Sequence, residues 1–176
     1  MSKSRNETGK ILRGAALALA GAVMIWLSTG CADGKKAPEA SDNWPKVIYS
    51  DGCYQVVQDT PVHKPSQHEG LEYVFIPLTL TNDSDHDIIF SSYVCVKSYA
   101  MPSGCVCLPA DKDAVALGKT QVEHFRLFDG LIPVHSETSG WLAFELPKES
   151  DAVHVDFRTG GEGEFLSFDC NLSTVF

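Results

Sequence analysis

Apolar and polar residues alternate with a period of two from Trp44 onward, and this pattern is typical of β-strands. The clearest example spans residues 71–81. One of its predicted faces carries Val74, Ile76, Leu78 and Leu80, and the other carries Tyr73, Phe75, Pro77 and Thr79. Because proline has no backbone N–H, Pro77 predicts an unpaired edge or a bulge in this strand.

A second strong strand is predicted over residues 139–147, with Leu142, Phe144 and Leu146 on one face and Trp141, Ala143 and Glu145 on the other. Shorter strands are predicted over residues 88–90, 93–99, 105–108, 122–128, 153–157 and 165–172, between clusters of turn-forming residues. Residues 112–119 have room for a single helical turn and no more. Short strands separated by turns predict an all-β sandwich of two antiparallel sheets, packed about 10 Å apart.

The first 30 residues have the organisation of a secretory signal. Four basic residues and one acidic residue precede an uncharged run over residues 14–27, which is 14 residues long. A helix that spans a bilayer needs about 20 apolar residues, so a permanent membrane span is disfavoured. An uncleaved N-terminal anchor is the alternative, and it too would leave the following domain outside the cytoplasm.

The stretch Leu27-Ser28-Thr29-Gly30-Cys31 resembles a lipobox, the cleavage motif of bacterial lipoprotein signals. Leu27 lies one position early, and Ser28 holds the place where leucine is usual. The resemblance implies that Cys31 is the lipid attachment site, so the chain is expected to be held to the cell membrane on its extracytoplasmic side. Stable anchoring takes more than one acyl chain, and a diacylated cysteine meets that requirement.

The chain divides into a predicted signal peptide (1–30), a flexible tether (31–44) and one β domain (45–176). The tether is small, polar and interrupted by Pro38. The whole chain has 14 basic and 23 acidic residues; removing four and one with the signal leaves 10 and 22, a net charge near −12. Such a surface repels nucleic acid, which makes a nucleic-acid partner unexpected.

Two strand motifs carry a family resemblance. Residues 75–85 (FIPLTLTNDSD) and 140–147 (GWLAFELP) resemble the early strand and turn, and the late strand, of bacterial lipoproteins with domain of unknown function 4352. The likeness covers about residues 45–172. It implies an immunoglobulin-like antiparallel β-sandwich preceded by a signal peptide and a flexible tether, with no catalytic residues to transfer. This chain departs from the family in having residues 133–137 (PVHSE) where Pro-Gly is common, and in having five cysteines after Cys31.

Those five cysteines are the disulfide candidates Cys53, Cys95, Cys105, Cys107 and Cys170. Thiols exposed outside the cytoplasm tend to pair, but two bridges among five cysteines allow 15 arrangements. The terminal strands of a sandwich lie near each other, so a Cys53–Cys170 bridge is plausible and would add roughly 4–5 kcal/mol. Cys95 reaches Cys105 or Cys107 only if the loop around Pro102 is wider than two residues, and we hypothesise that it is wider.

A metal site is the alternative use of Cys105 and Cys107. Residues two apart on a strand face the same side, and two thiolates there suit copper(I) or zinc(II). No histidine has a recognisable ligand spacing from this pair, so neither a metal nor another cofactor is expected. Asp83, Asp85 and Asp87 recur at every second residue, but they lack the glycine and distal glutamate of an EF-hand.

The sequence therefore predicts a non-enzymatic binding module at the bacterial cell surface. No catalytic motif is present: there is no nucleophile elbow, zinc-protease helix or phosphate loop. The expected partner is an unidentified protein, peptide, glycan or cell-wall component, recognised by a loop cluster or by a sheet edge at Tyr73, Val74 and Pro77. A copper, zinc or thiol-redox lipoprotein that uses Cys105 and Cys107 is the alternative. Tyr73, Tyr99 and Trp141 could form an aromatic binding patch, although they fit better as cover for a sheet face.

Overall fold

The computed structural model describes residues 44–92, 96–159 and 165–173. Most of its elements are strands, because a period of two buries every second side chain of an extended segment. These ranges contain β1 (Lys46–Ser50), β2 (Tyr54–Gln58), β3 (Val62–Pro65), β4 (Leu71–Asn82), β5 (Ile88–Ser91), β6 (Val96–Met101), β7 (Cys105–Cys107), α1 (Lys112–Gln121), β8 (Asp129–Ile132), β9 (Ser136–Pro147), β10 (Ala152–Arg158) and β11 (Phe165–Asn171).

The larger sheet is built around β4. This strand pairs antiparallel with β9 along its whole length, from Leu71 opposite Pro147 to Asn82 opposite Ser136. It also pairs with β3 over its first half and with β2 over its second half, and β1 extends the sheet beyond β2. β4 is therefore an interior strand.

Pro77 lies where β4 changes partner from β3 to β2. Its carbonyl oxygen accepts a hydrogen bond from the backbone N–H of Asp59, at 3.0 Å. Since the N and O of one residue point to the same side of a strand, the missing N–H faces the β2–β3 connection and not a paired strand. The prediction of a binding edge at Tyr73, Val74 and Pro77 is therefore wrong: β4 has partners on both sides, and the side chains of Tyr73 and Val74 are buried.

The smaller sheet has the strand order β11-β10-β6-β7, and β5 and β8 form a separate two-stranded ribbon. One apolar core joins the three groups of strands. Its members from β4, β9 and β10 are Val74, Ile76, Leu78, Leu80, Leu142, Phe144, Leu146, Val153, Val155 and Phe157. These are the inward positions that the alternation predicts, and the expectation of an all-β sandwich is confirmed.

The opposite face of the larger sheet is covered by α1, a helix of ten residues that the sequence reading limited to one turn. The Asp111 carboxylate caps it, accepting hydrogen bonds from the backbone N–H groups of Asp113 (3.0 Å) and Ala114 (2.9 Å). Ala114 and Val115 then pack against Tyr73 and Phe75 in a second apolar cluster.

The strand predicted over residues 122–128 is also absent. Val122 ends the helix, His124 has a positive φ of 55°, and only Leu127 makes a single bridge, to Trp141. Phe125 packs in the helix-side cluster, whereas Phe128 packs in the main core. The conformation of residues 122–128 is therefore determined by packing against two different apolar clusters, and not by a strand with a period of two.

The predicted signal peptide, the lipid-attachment residue Cys31 and nearly all of the tether lie outside the described residues. Within the described ranges, no helix is both long and apolar enough to cross a bilayer.

Candidate functional site

The four described cysteines carry free thiols. Cys53 is exposed in the turn between β1 and β2, whereas Cys170 on β11 is fully buried. The plausible Cys53–Cys170 bridge is absent from the structure, because one thiol faces outward at a turn and the other lies inside the core. Burial raises the pKa of the Cys170 thiol and, to a smaller extent, that of Cys107.

The loop between β6 and β7 is narrow, so the hypothesis of a wider loop is wrong. Cys105 lies opposite Ala100 and Cys107 lies opposite Ser98. Cys95 itself is outside the described residues. Cys105 and Cys107 share a strand face, as predicted, but Cys105 is exposed and Cys107 is largely buried.

Metal ligands do not gather around this thiol pair. Among the described residues, no group of three or more His, Cys, Asp or Glu side chains is placed to hold a metal ion. The histidines instead lie beside carboxylates: His63 with Glu72, His68 with Glu145, His86 with Asp85, His124 with Glu123, His135 with Asp83, and His154 with Asp156 and Asp169.

The aromatic residues proposed as a patch are also separated. Tyr73 is buried beneath α1, Trp141 is partly buried on the same sheet face, and Tyr99 lies on the smaller sheet beside His154. No single surface contains all three.

A cleft of about 670 Å³ lies at one end of the sandwich. The β1–β2 turn, the loop after β4, the end of β10 and the start of β11 meet there. We call it the end cleft; its described lining residues are Tyr49, Asp51, Cys53, Tyr54, Asp83, Ser84, Asp85, His86, Thr159 and Leu166.

One wall of the end cleft is organised by Asp51. Its Oδ1 accepts hydrogen bonds from the backbone N–H groups of Cys53 (2.9 Å) and Tyr54 (2.8 Å), and its Oδ2 accepts one from the Tyr49 hydroxyl (2.8 Å). Gly52, between them, has a φ of 92°, which glycine adopts without strain. Partial burial, followed by the contact with Asp51, raises the pKa of Tyr49 well above its usual range, so this phenol stays protonated.

The facing wall depends on Asn82, a fully buried residue at the end of β4. Its Nδ2 donates hydrogen bonds to the carbonyl oxygens of His86, Ile132 and Pro133, which lie 3.0–3.2 Å from it. Its Oδ1 accepts hydrogen bonds from the backbone N–H and the hydroxyl of Ser84. A single buried amide thereby holds the loop after β4 against the β8–β9 connection.

A chain of side chains crosses from one wall to the other. The Tyr54 hydroxyl lies 3.3 Å from Nε2 of His86, and Nδ1 of His86 lies 3.0 Å from Oδ1 of Asp85. A backbone hydrogen bond also connects the two walls, from the N–H of Asp83 to the carbonyl oxygen of Cys53 at 2.7 Å. The end cleft is thus cross-linked by both main chain and side chains.

The electrostatic character of the end cleft is acidic. Asp51, Asp83 and Asp85 line it, and no lysine or arginine is among its described lining residues. Hydrogen bonding from His86 lowers the pKa of the fully exposed Asp85 carboxyl, which keeps it ionised at neutral pH. The acidic turn over residues 83–87 is therefore a wall of the cleft and not a calcium loop: Asp83 faces His135, Asp85 faces His86, and Asp87 accepts from the N–H of Val134.

Sequence reasoning missed this grouping, although it had noted the acidic turn. Asp51 and Asp85 are 34 positions apart, and neither belongs to a periodic segment. The one available signal was the pair of turn clusters at residues 50–53 and 82–85, which the pairing of β2 with β4 brings to the same end of the sheet.

No family model and no curated protein matches this chain, so the resemblance to domain of unknown function 4352 has no support from a family match. Among solved structures, the chain is similar to ycdA, a candidate lipoprotein from Bacillus subtilis subsp. subtilis str. 168, with 12% sequence identity and a TM-score of 0.47. The alignment covers 76% of this chain and 39% of the other. A likeness at this level says nothing about ligand or activity.

Proposed function

We propose that this protein is a lipid-anchored, extracytoplasmic and non-enzymatic binding module that holds a cationic ligand, such as a lysine-rich segment, in the end cleft. The observation that carries the proposal is a cleft of about 670 Å³ whose described lining includes three aspartates and neither lysine nor arginine. A pocket of this size lies within the usual range for ligand sites, about 300–1,000 Å³.

The chemistry of the end cleft suits an ammonium or guanidinium group. Asp85 offers a fully exposed carboxylate, and Asp83 is also largely exposed, with 61% of its side-chain surface accessible. The partly exposed Tyr49 provides aromatic surface beside these charges, and cations are attracted to the faces of aromatic rings. The negative charge of the whole chain adds long-range attraction for a basic partner.

The walls of the end cleft are preorganised, which favours recognition over induced folding. Asn82 fixes one wall through buried hydrogen bonds, and Asp51 fixes the other. A ligand that binds such a site orders few additional groups, so less of the interaction energy is lost as entropy.

The binding test uses the exported chain with the substitution Cys31→Ser, to keep it free of lipid, and an acetylated hexalysine peptide as the probe. Calorimetric titration of the Asp83→Asn/Asp85→Asn variant is expected to show binding weakened by about two- to thirtyfold, because each of the two exposed ion pairs contributes about 0.2–1 kcal/mol. Raising the salt concentration should weaken binding to the unsubstituted cleft as well.

The matched control is Glu69→Gln/Glu149→Gln, which removes the same charge beside the other end of β4, at two exposed residues. It should change the affinity much less than the cleft variant does. If both variants weaken hexalysine binding equally, only the net charge matters and the end cleft is not the site. A hexaglutamate peptide should not bind.

The anchor is tested separately in cells. Cys31→Ser is expected to remove acyl labelling and to release the protein from the membrane fraction, whereas Cys53→Ser should keep both. Retention of Cys31→Ser in the membrane would instead identify an uncleaved N-terminal anchor. Lipid labelling at Cys31 is independent of the peptide titration, so either half of the proposal can fail alone.

A further inference from the structure

A second concave surface lies on the face of the larger sheet that α1 partly covers. The helix packs over the Tyr73 and Phe75 end of β4, whereas the face beyond Pro77 remains open. A groove of about 340 Å³ occupies this open half, between Trp141 and Pro45. We call it the sheet groove.

The floor of the sheet groove is apolar and broad. Trp141 and Pro77 lie directly opposite each other on β9 and β4, and Val57 of β2 adds a third apolar side chain. Trp141 is held in place by its neighbour Phe125, whose ring centroid lies 6.4 Å away. The indole is therefore fixed, yet it remains partly exposed to the groove.

Polar groups border this floor. Thr79 of β4 and Ser139 of β9 form the next residue pair on this face, and their hydroxyls are hydrogen-bonded to each other at 2.8 Å. Glu137 follows on β9, exposed and without a partner among the described residues, and Asp59 stands beside Pro77. The lining thus combines a fixed aromatic ring, two hydroxyls and two carboxylates, with no basic side chain among its described members.

We infer that the sheet groove binds a neutral sugar ring of a glycan, of the glucose or N-acetylglucosamine type. In these pyranoses the ring substituents are equatorial, so both ring faces present only C–H groups and can lie on the Trp141 indole and the Pro77 ring. The edge of the same sugar carries hydroxyls that donate to carboxylates and exchange hydrogen bonds with Thr79 and Ser139.

Other occupants fit these groups less well. A peptide strand cannot add to the floor, because the backbone of β4 is already paired on both sides. An acyl chain would remove water from the exposed Glu137 carboxylate without offering it a hydrogen bond, which is costly. A sugar satisfies the aromatic floor and the polar border together. The sheet groove shares no lining residue with the end cleft, so this inference does not depend on the proposed function.

The test is a titration of the Cys31→Ser chain with cellotetraose and chitotetraose, monitored by the indole N–H signal of Trp141 in NMR spectra and by calorimetry. Binding should shift that signal. Trp141→Phe, which keeps the packing on Phe125 but shortens the platform, should weaken binding about three- to tenfold. Glu137→Gln exchanges a charged acceptor for a neutral one and should weaken it about two- to fivefold.

Matched controls keep the inference falsifiable even if Trp141→Phe unfolds. Glu149→Gln removes an exposed carboxylate elsewhere, and Tyr99→Leu removes a partly exposed aromatic ring from the smaller sheet; both should leave sugar affinity unchanged. The Asp83→Asn/Asp85→Asn variant should also bind the sugar normally. The inference is overturned if neither saccharide shifts Trp141, if Glu137→Gln binds as well as the unsubstituted chain, or if hexalysine displaces the sugar.

Discussion

Gln58 shows how one polar side chain can join two sheets. It is fully buried at the end of β2, where its amide Nε2 donates to the backbone carbonyl of Asn171 at 2.6 Å and its Oε1 accepts from the N–H of the same residue at 3.0 Å. Asn171 belongs to β11 of the other sheet. A bidentate contact of this kind fixes the relative position of two strands, β2 and β11, that belong to different sheets.

The substitution Gln58→Met tests this contact, because methionine has a similar shape but cannot hydrogen-bond the backbone of Asn171. It should lower the free energy of unfolding by about 1–3 kcal/mol, the usual cost of leaving buried polar groups unpaired. Urea unfolding followed by circular dichroism gives the value. Gln55→Met, an exposed change on the same strand, is the control and should have little effect; equal losses would show that the bidentate contact contributes nothing.

At the level of elements, α1 is stabilised by the residue that precedes it, Asp111, as well as by its packing on the larger sheet. Its buried residues are Ala114, Val115 and Gly118, which form a narrow face of small side chains. Gly118 is needed there, since a Cβ at this position would lie 2.7 Å from the Phe125 ring. Because this face buries little apolar surface, the helix also relies on Asp111, whose carboxylate accepts hydrogen bonds from two backbone N–H groups of the first turn.

Asp111→Ala should therefore destabilise the protein by about 0.5–2 kcal/mol, whereas Asp111→Asn should stay within a few tenths of the parent because asparagine also caps helices. Thermal or urea unfolding of the two variants provides the comparison. A loss of the same size for both would mean that the charge of Asp111, and not its capping hydrogen bonds, stabilises α1.

His154 on β10 makes the stability of the smaller sheet depend on pH. Its Nδ1 lies 2.6 Å from Asp169 on β11, its Nε2 lies 3.3 Å from Asp156, and the Tyr99 ring is a neighbour on β6. Hydrogen bonding to Asp169 raises the pKa of His154, against a smaller opposing effect of desolvation. A raised folded-state pKa stabilises the fold fully below the unfolded value, about 6.5, and the effect is lost as pH rises through the folded value.

Asp169→Asn should accordingly cost stability at about pH 5.5, and the cost should decrease as the pH is raised toward about 8.5 and His154 loses its proton. The expected loss at the lower pH is about 0.5–1 kcal/mol, since the pair is partly exposed to solvent. Urea unfolding at the two pH values measures it, with Asp151→Asn, an exposed change immediately before β10, as the control. A loss that is independent of pH would contradict the assignment to His154.

The sequence pattern predicted the two main strands correctly and underestimated the length of α1 for the same physical reason: the pattern is strong only where the buried side chains are large. Large apolar residues at every second position, such as Val74 and Ile76 on β4 or Leu142 on β9, leave a strong signal, so the two main strands and their inward faces are predictable. The helix buries small residues, and its hydrophobic period is correspondingly weak. The prediction of a binding edge at Pro77 was wrong for another reason. A proline shows that one backbone position cannot donate to a ladder, but it does not show whether the residues on either side of it are paired, as they are in β4.

At the scale of the whole molecule, both candidate binding surfaces depend on contacts between distant parts of the chain. Asp51 and His86 meet at the end cleft only because β2 pairs with β4, and Thr79 meets Ser139 only because β4 pairs with β9. Turn residues carry no periodicity, so the sequence could predict a loop cluster but not its members. The fold class is encoded locally, whereas the sites are encoded by pairing.

The cysteines connect the fold to the compartment in which the protein is expected to operate. The extracytoplasmic expectation favours disulfides, yet the structure places Cys170 and Cys107 in the core and Cys53 and Cys105 at the surface, all as free thiols. The thiolate is the reactive form, and burial both shields the two core thiols and raises their pKa.

Alkylation of the native, unreduced chain should therefore label Cys53 and Cys105 rapidly, and should label Cys107 and Cys170 only after unfolding in urea. Peptide mapping by mass spectrometry distinguishes the four sites. If Cys53 and Cys170 instead resist alkylation together until a reductant is added, the two are bridged, and the turn between β1 and β2 must then move toward the core with the whole wall of the end cleft that Asp51 organises.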